Sequence, residues 1–247
     1  MKIGIIGTGN IGGTLARKLS AARHDVRVAN SRGPEGVRAL TDEIGARALD
    51  TRGAVTDVVV IVISIPFPAV AQLKDLFGTV PQHVPVIDTG NYYPGLRDPQ
   101  IPEIDAGMPH SVWVSKQLGR PVIKAFNNIL AYSLAELGRP EGSPGRLAIA
   151  VAGDDVISKQ IVIDIVNETG FDPVDAGSLD ESWRQEPGTP AYCRDYDAAR
   201  MRKGLAAAVK GEAPKKLERL IDPYGQRGSE LTHADLVAMN RSLNPLD

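Results

Sequence analysis

Three glycines at a fixed spacing are the first residues of this chain that could do chemistry. Gly7-Thr8-Gly9-Asn10-Ile11-Gly12 follows the short apolar run Lys2 to Ile6 and opens a stretch of helical spacing that reaches Ala22. G-x-G-x-x-G between a strand and a helix is a phosphate-binding turn. Its first glycine permits the tight bend, its second lets a diphosphate approach the backbone, and its third lets helix and strand pack closely. The anion then rests on the unpaired N–H groups and positive dipole end of the helix. A second strand, Val26 to Ala29, leads to Asn30-Ser31-Arg32, where a reader of unphosphorylated dinucleotides carries an acid. A carboxylate would repel a ribose 2′-phosphate, whereas a serine hydroxyl donates to one and a guanidinium pairs with it through two hydrogen bonds. Gly33-Pro34 sets a turn that leaves Arg32 exposed for this. Glycines without the acid point to NADP(H) rather than NAD(H).

These residues need a sheet behind them. Val58 to Ile65 is a continuous β-branched run, as in a strand covered on both faces. Val84 to Asp88, Val122 to Phe126 and Ala148 to Ala152 follow as strands, with Pro173 to Ala176 as an edge strand. Helices are expected over Glu35 to Ile44, Ala69 to Phe77 and Ser111 to Leu118. Gly153-Asp154-Asp155 opens another, with an Asp as acceptor for its first turn, that stops at Gly170. Alternation of this kind gives an α/β fold, a Rossmann-type doubly wound and mainly parallel sheet. The pattern changes near Gly177. Residues 1–178 therefore read as an NADP-binding domain and 179–247 as a short, partly helical C-terminal appendage, a substrate lid or dimer contact. Helices are expected there over Asp197 to Lys210 and Thr232 to Ser242, the latter with Thr232 and Asp235 as a capping box.

In open parallel sheets ligands bind beyond the carboxyl ends of the strands. There Ile65, Pro66 and Phe67 offer an apolar wall for a flat ring, packing under the next helix being the competing role for Phe67. Gly90, Asn91 and Asn127 offer amide groups to a carboxamide or ribose, although Asn127 equally suits a turn. Lys124 reads as a strand-end charge reaching water. Of the four histidines, His24, His83 and His233 fall in loop or cap contexts, His24 as a solvated one. His110 is the one candidate proton donor. Trp183, Tyr192, Cys193 and Tyr196 form either an aromatic lid over a planar substrate or the docking contact of the tail. Arg184, Arg194, Arg200 and Arg202 suit an anionic substrate tail or simple solvation. No residue is assigned as catalytic.

GIIGTGNIGGTLARKL, NSRGP, SIPF, DTGNYYP, KAFNN and VAGDD followed by PVDAGSL together resemble the family of NADPH oxidoreductases that use the deazaflavin coenzyme F420. The resemblance spans roughly residues 1 to 180 and does not extend beyond Glu181. It implies direct hydride transfer between a nicotinamide and a deazaflavin, with no essential protein acid or base. The residues agree, because in hydride transfer the cofactor carries the chemistry and the protein supplies position and electrostatics. The acceptor is expected to be a deazaflavin, a flavin or a quinone. A small imine or keto substrate is the alternative within the enzyme class, although reductases of that sort carry a longer all-helical second domain. A sensor that binds NADP(H) without turnover is the alternative outside it.

Composition sets outer bounds. The 247 residues are 43% apolar and 23% charged, with a net charge of −2 and no long basic run, so bulk electrostatics favour no nucleic acid. The single cysteine excludes an internal disulfide and a multi-cysteine zinc site, and fits a cytoplasmic protein. No signal peptide is read, and no apolar run is long enough to span a bilayer. A homodimer is plausible on the grounds that the tail is short.

Overall fold

The computed structural model describes residues 1–219 and 230–246. Six parallel strands form the main sheet in the order β3-β2-β1-β4-β5-β6. They are β1 (Lys2–Ile6), β2 (Asp25–Ala29), β3 (Arg47–Ala48), β4 (Val60–Ile63), β5 (Val86–Asp88) and β6 (Ile123–Lys124). The order reverses at β1 and β4, which leaves the crevice of a Rossmann fold above their carboxyl ends. A second parallel pair, β7 (Ala148–Val151) and β8 (Asp172–Asp175), joins β6 antiparallel through the reciprocal backbone bonds of Lys124 and Ala152, 2.8 and 3.0 Å.

The buried run of β4 shows why the sheet is covered on both faces. Val60 and Val62 enter one core with Ile3, Ile5, Leu15 and Val162, beneath α1 (Asn10–Ala21) and α8 (Val156–Glu168). Ile61 and Ile63 point the other way and join Phe67, Phe77, Trp113 and Val114. Successive strand residues face opposite sides, so a strand apolar at every position fits only between two layers. A third cluster joins Ala148, Ala150 and Val174 of β7 and β8 to Ala191, Tyr196, Met201 and Leu205. The chain after residue 178 thus covers the small pair of strands with its own side chains.

Helix ends follow local chemistry. The Asp155 side chain accepts from Ser158 N–H (2.7 Å) at the start of α8. Asp197 caps α9 (Ala198–Ala207) in the same way, and Thr232 with Asp235 forms a capping box on α11 (His233–Leu243). Residues 213–219 are helical (α10) between these two. Residues 220–229 and 247 of the expected appendage lie outside the described residues.

Several boundaries differ from the sequence expectation. The strand expected over residues 58–65 is ordered as a ladder only at Val60–Ile63, and β3 was not expected. Short helices α3 (Thr51–Val55), α5 (Pro102–Asp105) and α7 (Ala131–Glu136) also lacked a periodic signal. The helix expected over 35–44 is broken into a 3₁₀ turn, Pro34–Gly36, and α2 (Arg38–Ile44). The Gly36 carbonyl accepts from the Asn30 amide (3.0 Å) and the Arg32 guanidinium (3.2 Å), so side chains replace the helical donor there. The expected helix over 69–77 is likewise a 3₁₀ turn, Phe67–Leu73, running into α4 (Lys74–Gly78). His24 is not a solvated turn residue. Its ring lies 2.9 Å from the N-terminal amine and 2.6 Å from the Glu168 carboxylate.

Candidate active site at the carboxyl end of the sheet

The glycine turn lies between β1 and α1. Gly7 has φ +104°, and a Cβ there would stand 2.0 Å from the Ser64 carbonyl oxygen, so both conformation and space exclude a side chain. A Cβ on Gly12 would meet the Gly7 carbonyl oxygen at 2.1 Å. We expect Gly12→Ala to push α1 off the sheet, costing about 1–3 kcal/mol of stability and at least about tenfold in dinucleotide affinity. Thermal unfolding and fluorescence titration with NADPH check this. Gly9, by contrast, would carry a Cβ into open space, with nothing within 4 Å. It is the N-cap of α1 and no side chain caps the helix, so the first-turn N–H groups of Asn10, Ile11 and Gly12 are left for an anion.

Asn30 ties this turn to the next segment. Its amide donates to Thr8 Oγ1 (3.2 Å) and to the Gly36 carbonyl, and its Oδ1 accepts from Arg32 N–H (2.9 Å). Ser31 and Arg32 are exposed beside it. Among the described residues no carboxylate pairs with Arg32, whose guanidinium meets only the Gly36 carbonyl. An uncapped helix start, an open backbone at Gly9 and an unpaired guanidinium where an acid would stand make a donor set that fits a 2′-phosphorylated dinucleotide.

On the β4 side, Ile65 is half-buried and Pro66 exposed, so both remain at the crevice. Phe67 does not present its ring there. It is 1% exposed and packs against Trp113 (centroids 5.1 Å, stacked), Tyr92 and His110, each at 5.7 Å. Core packing wins because the 3₁₀ turn after Pro66 rotates the ring under α6 (His110–Leu118).

The β5 and β6 ends are joined by a buried polar cluster. Asp88 is 1% exposed and accepts from Gly90 N–H (2.8 Å) and Ser111 Oγ (2.6 Å). Lys124 is fully buried rather than reaching water. Its ammonium donates to Ser111 Oγ (2.9 Å) and the Gly90 carbonyl (3.2 Å), and stands 3.9 Å from Asp88. The Gly90 peptide is thereby held at both ends. Asn91, next in the chain, donates to the Asn127 carbonyl (2.8 Å) and to Tyr192 Oη (3.3 Å). Asn127 is 2% exposed; its amide donates to Asn91 Oδ1 (3.1 Å) and the Gln185 carbonyl (2.7 Å), and its Oδ1 accepts from Gln185 (2.7 Å). Asn127 therefore fixes Asn91 and spends its own polar atoms within the chain. The preceding Phe126 has φ +61°, a conformation rare for a side chain of that size.

The irregular stretch after residue 178 reaches this site. Tyr192 is buried, with its hydroxyl bonded to Tyr93, and burial pushes its pKa well above the usual phenol range. The Arg97 guanidinium lies over the Tyr93 ring at 5.0 Å. Cys193 is buried and its thiol is pushed up to about 12 by burial, which makes it a poor nucleophile. Arg194 is 1% exposed and donates to the Asn244 carbonyl (2.6 Å), so it docks the tail and is closed to a substrate. Trp183 carries the Arg184 guanidinium over its ring at 4.7 Å.

His110 does not sit as a free acid. Its Nδ1 accepts from Tyr92 N–H (3.3 Å), and burial, with the Lys124 charge, holds the ring well below the usual imidazole range. Glu186, unremarked in the sequence, is the titratable neighbour. Its Oε1 accepts from His110 N–H (2.6 Å), its Oε2 lies 3.4 Å from His110 Nε2, and burial pushes the carboxyl up to about 7. Neither Glu186 nor the Lys124 cluster left a sequence signal: a lone acid in a stretch without period, and a lysine in a short strand, look like solvated charges.

Among the described residues no helix is long and apolar enough to cross a membrane. Comparison with known proteins adds the following. Residues 2–92 match the family model described as NADP oxidoreductase, coenzyme F420-dependent. The chain is 50% identical over 125 residues to protein YjhV of Escherichia coli K12, which spans 51% of this chain and 84% of that protein. Protein SMa0349 of Sinorhizobium meliloti superposes with a TM-score of 0.63 at 28% identity, over 75% of this chain and 89% of that one. A candidate F420-dependent NADP-reductase from Arthrobacter sp. FB24 gives 0.60 at 19% identity, over 74% and 87% respectively, a likeness of fold.

Proposed function

The chain belongs to the family of NADP oxidoreductases of the coenzyme F420-dependent type, and from that premise we propose that it transfers a hydride between NADP(H) and a planar redox acceptor: a deazaflavin, a flavin or a quinone. The observation that carries the cofactor reading is the unpaired Arg32 guanidinium beside an uncapped α1, with Asn30 where a ribose-binding acid would stand. In this reading the N–H groups of Asn10, Ile11 and Gly12 hold the diphosphate, and Ser31 and Arg32 hold the 2′-phosphate. Ile65 and Pro66 form one wall for the nicotinamide. Gly90 and Asn91 form the other, held in place by Lys124 and Asn127. When bound, the nicotinamide supplies the hydride chemistry, and the chain supplies position and water exclusion. The Tyr93–Tyr192 pair at Asn91, with the Arg97 guanidinium over Tyr93, supports a flat, electron-poor acceptor. Residues 179–247 serve as its lid and docking segment, and a homodimer remains part of the proposal.

Two measurements test this. Arg32→Ala is expected to weaken NADPH binding by about 1.5–3 kcal/mol and to leave NADH nearly unchanged, because one charged hydrogen-bond set is lost only with the phosphate. Equal losses for the two nucleotides would remove the 2′-phosphate role. Mixing the protein with NADPH and coenzyme F420, FMN or a quinone, and following the nicotinamide absorbance, is expected to show turnover with a planar acceptor. Tight NADPH binding without turnover would instead favour a sensor, and turnover confined to small imines or keto compounds would favour the other reductase class.

A further inference from the structure

A cavity of about 430 Å³ opens between the 92–110 segment and the tail, apart from the nucleotide crevice. Its size suits a small molecule. Adjacent residues divide between the two places: Asn91 and Gln185 join the amide network, whereas Tyr92 and Glu186 line the cavity. Tyr92, Trp183, Met108 and Pro109 give it aromatic and apolar walls, and Glu186 also lines it. The cofactor reading assigns it nothing.

The charges there do not balance. Among the described residues Asp105, Glu186 and Glu218 line the cavity against one cation, Lys210. Glu186 is the most enclosed, its side chain 12% exposed. Among the described residues its one ion-pair partner is His110. That ring accepts from Tyr92 N–H at Nδ1, so it is held as a neutral donor and brings no positive charge. Lys124, the nearest buried ammonium, is already engaged by Ser111 and Gly90. Lys124 and Lys210 attract the Glu186 carboxylate from a distance, but among the described residues neither forms an ion pair with it, so a carboxylate inside apolar walls keeps acceptor capacity that a cation would fill.

We propose that this cavity binds a small organic cation, such as a primary amine with a flat apolar body, its ammonium on the Glu186 carboxylate and its body between Tyr92 and Trp183. The ammonium donates to both carboxylate oxygens, and the aromatic faces add cation–π attraction. The proposal goes beyond the dinucleotide reading and stands or falls without it.

The test uses the full chain and three probes of nearly one shape: benzylamine, benzyl alcohol and benzoate, titrated at about pH 8, where the amine is charged and Glu186 ionised. Tryptophan fluorescence reports binding, and isothermal calorimetry confirms it. Benzylamine is expected to bind at least about tenfold more tightly than the alcohol, with benzoate weakest. In Glu186→Gln, whose amide oxygen still accepts from His110 N–H, that preference should vanish while the alcohol is unaffected. Trp183→Leu should weaken all amine binding, read by calorimetry. Equal binding of amine and alcohol, a preference for benzoate, or no binding of any probe to the wild-type chain would each overturn the proposal. So would an unaltered preference in a folded Glu186→Gln protein. These wild-type comparisons decide the matter even where a variant does not fold, and none depends on NADPH turnover.

Discussion

Lys124→Met is expected to destabilise the protein by about 3–5 kcal/mol, the cost of leaving a buried charge without its partner. Lys124 and Asp88 are 0% and 1% exposed, so neither can turn to water when the other is removed. Asp88 would keep its bonds from Gly90 N–H and Ser111 Oγ but would lose the Lys124 ammonium 3.9 Å away, its one ion-pair partner among the described residues. The Gly90 carbonyl and Ser111 Oγ would each lose a donor as well. Urea unfolding measures the loss. Adding Asp88→Asn to Lys124→Met should recover part of it, since a neutral pair leaves no uncompensated charge. A single-variant loss under about 1 kcal/mol would mean that water or a shifted side chain solvates Asp88. The same variant should loosen the Gly90–Asn91 turn, so NADPH affinity is expected to fall even in molecules that remain folded.

The second large effect is a pH dependence. The Glu186 carboxyl is pushed up to about 7 in the folded chain by burial, against 4.5 ordinarily. Below 4.5 both folded and unfolded chains carry the proton, and this group's favourable contribution is fully present. Between 4.5 and about 7 the unfolded chain has released its proton while the folded chain retains it, so stability falls as pH rises. Above about 7 both forms are ionised and the loss is complete, on the order of 3 kcal/mol. Glu186→Gln has no such proton. Its stability relative to wild type should therefore rise across that window by up to about 3 kcal/mol. His110 acts in the opposite sense: it stays neutral when folded and takes a proton below about 6.5 only when unfolded, so it weakens the fold as pH falls. It is present in both proteins, so the difference between them isolates Glu186. Urea midpoints at pH values across the window would check the slope, and parallel curves would show that Glu186 titrates as an ordinary carboxylate.

These two residues mark where a linear reading stops. The glycine turn, the missing acid at Asn30, the bend at Gly33, an Asp cap within Gly153-Asp154-Asp155 and the cap at Thr232 were legible because each works through its nearest neighbours. A φ of +104° at Gly7 or a hydrogen bond from Asp235 N–H to Thr232 spans three residues or fewer, and residue type alone restricts it. The β4 run was legible too, since a strand apolar at each position must lie between two layers.

Tertiary structure decided the fate of the side chains around that frame. Phe67 could face the crevice or the core, and its choice depended on Trp113 and His110, some forty residues on. Lys124 became a buried ion because Asp88 and Ser111 come to the same strand end from separate elements. Asn127 was taken up by Gln185, and Glu186 by His110, from a stretch with no periodicity. Phe67 followed the apolar surface that distant residues brought to it, and one physical reason is common to the other three. Conformational preference is set by nearby atoms, whereas the cost of a charge or an unpaired amide is set by whatever distant segment excludes water from it.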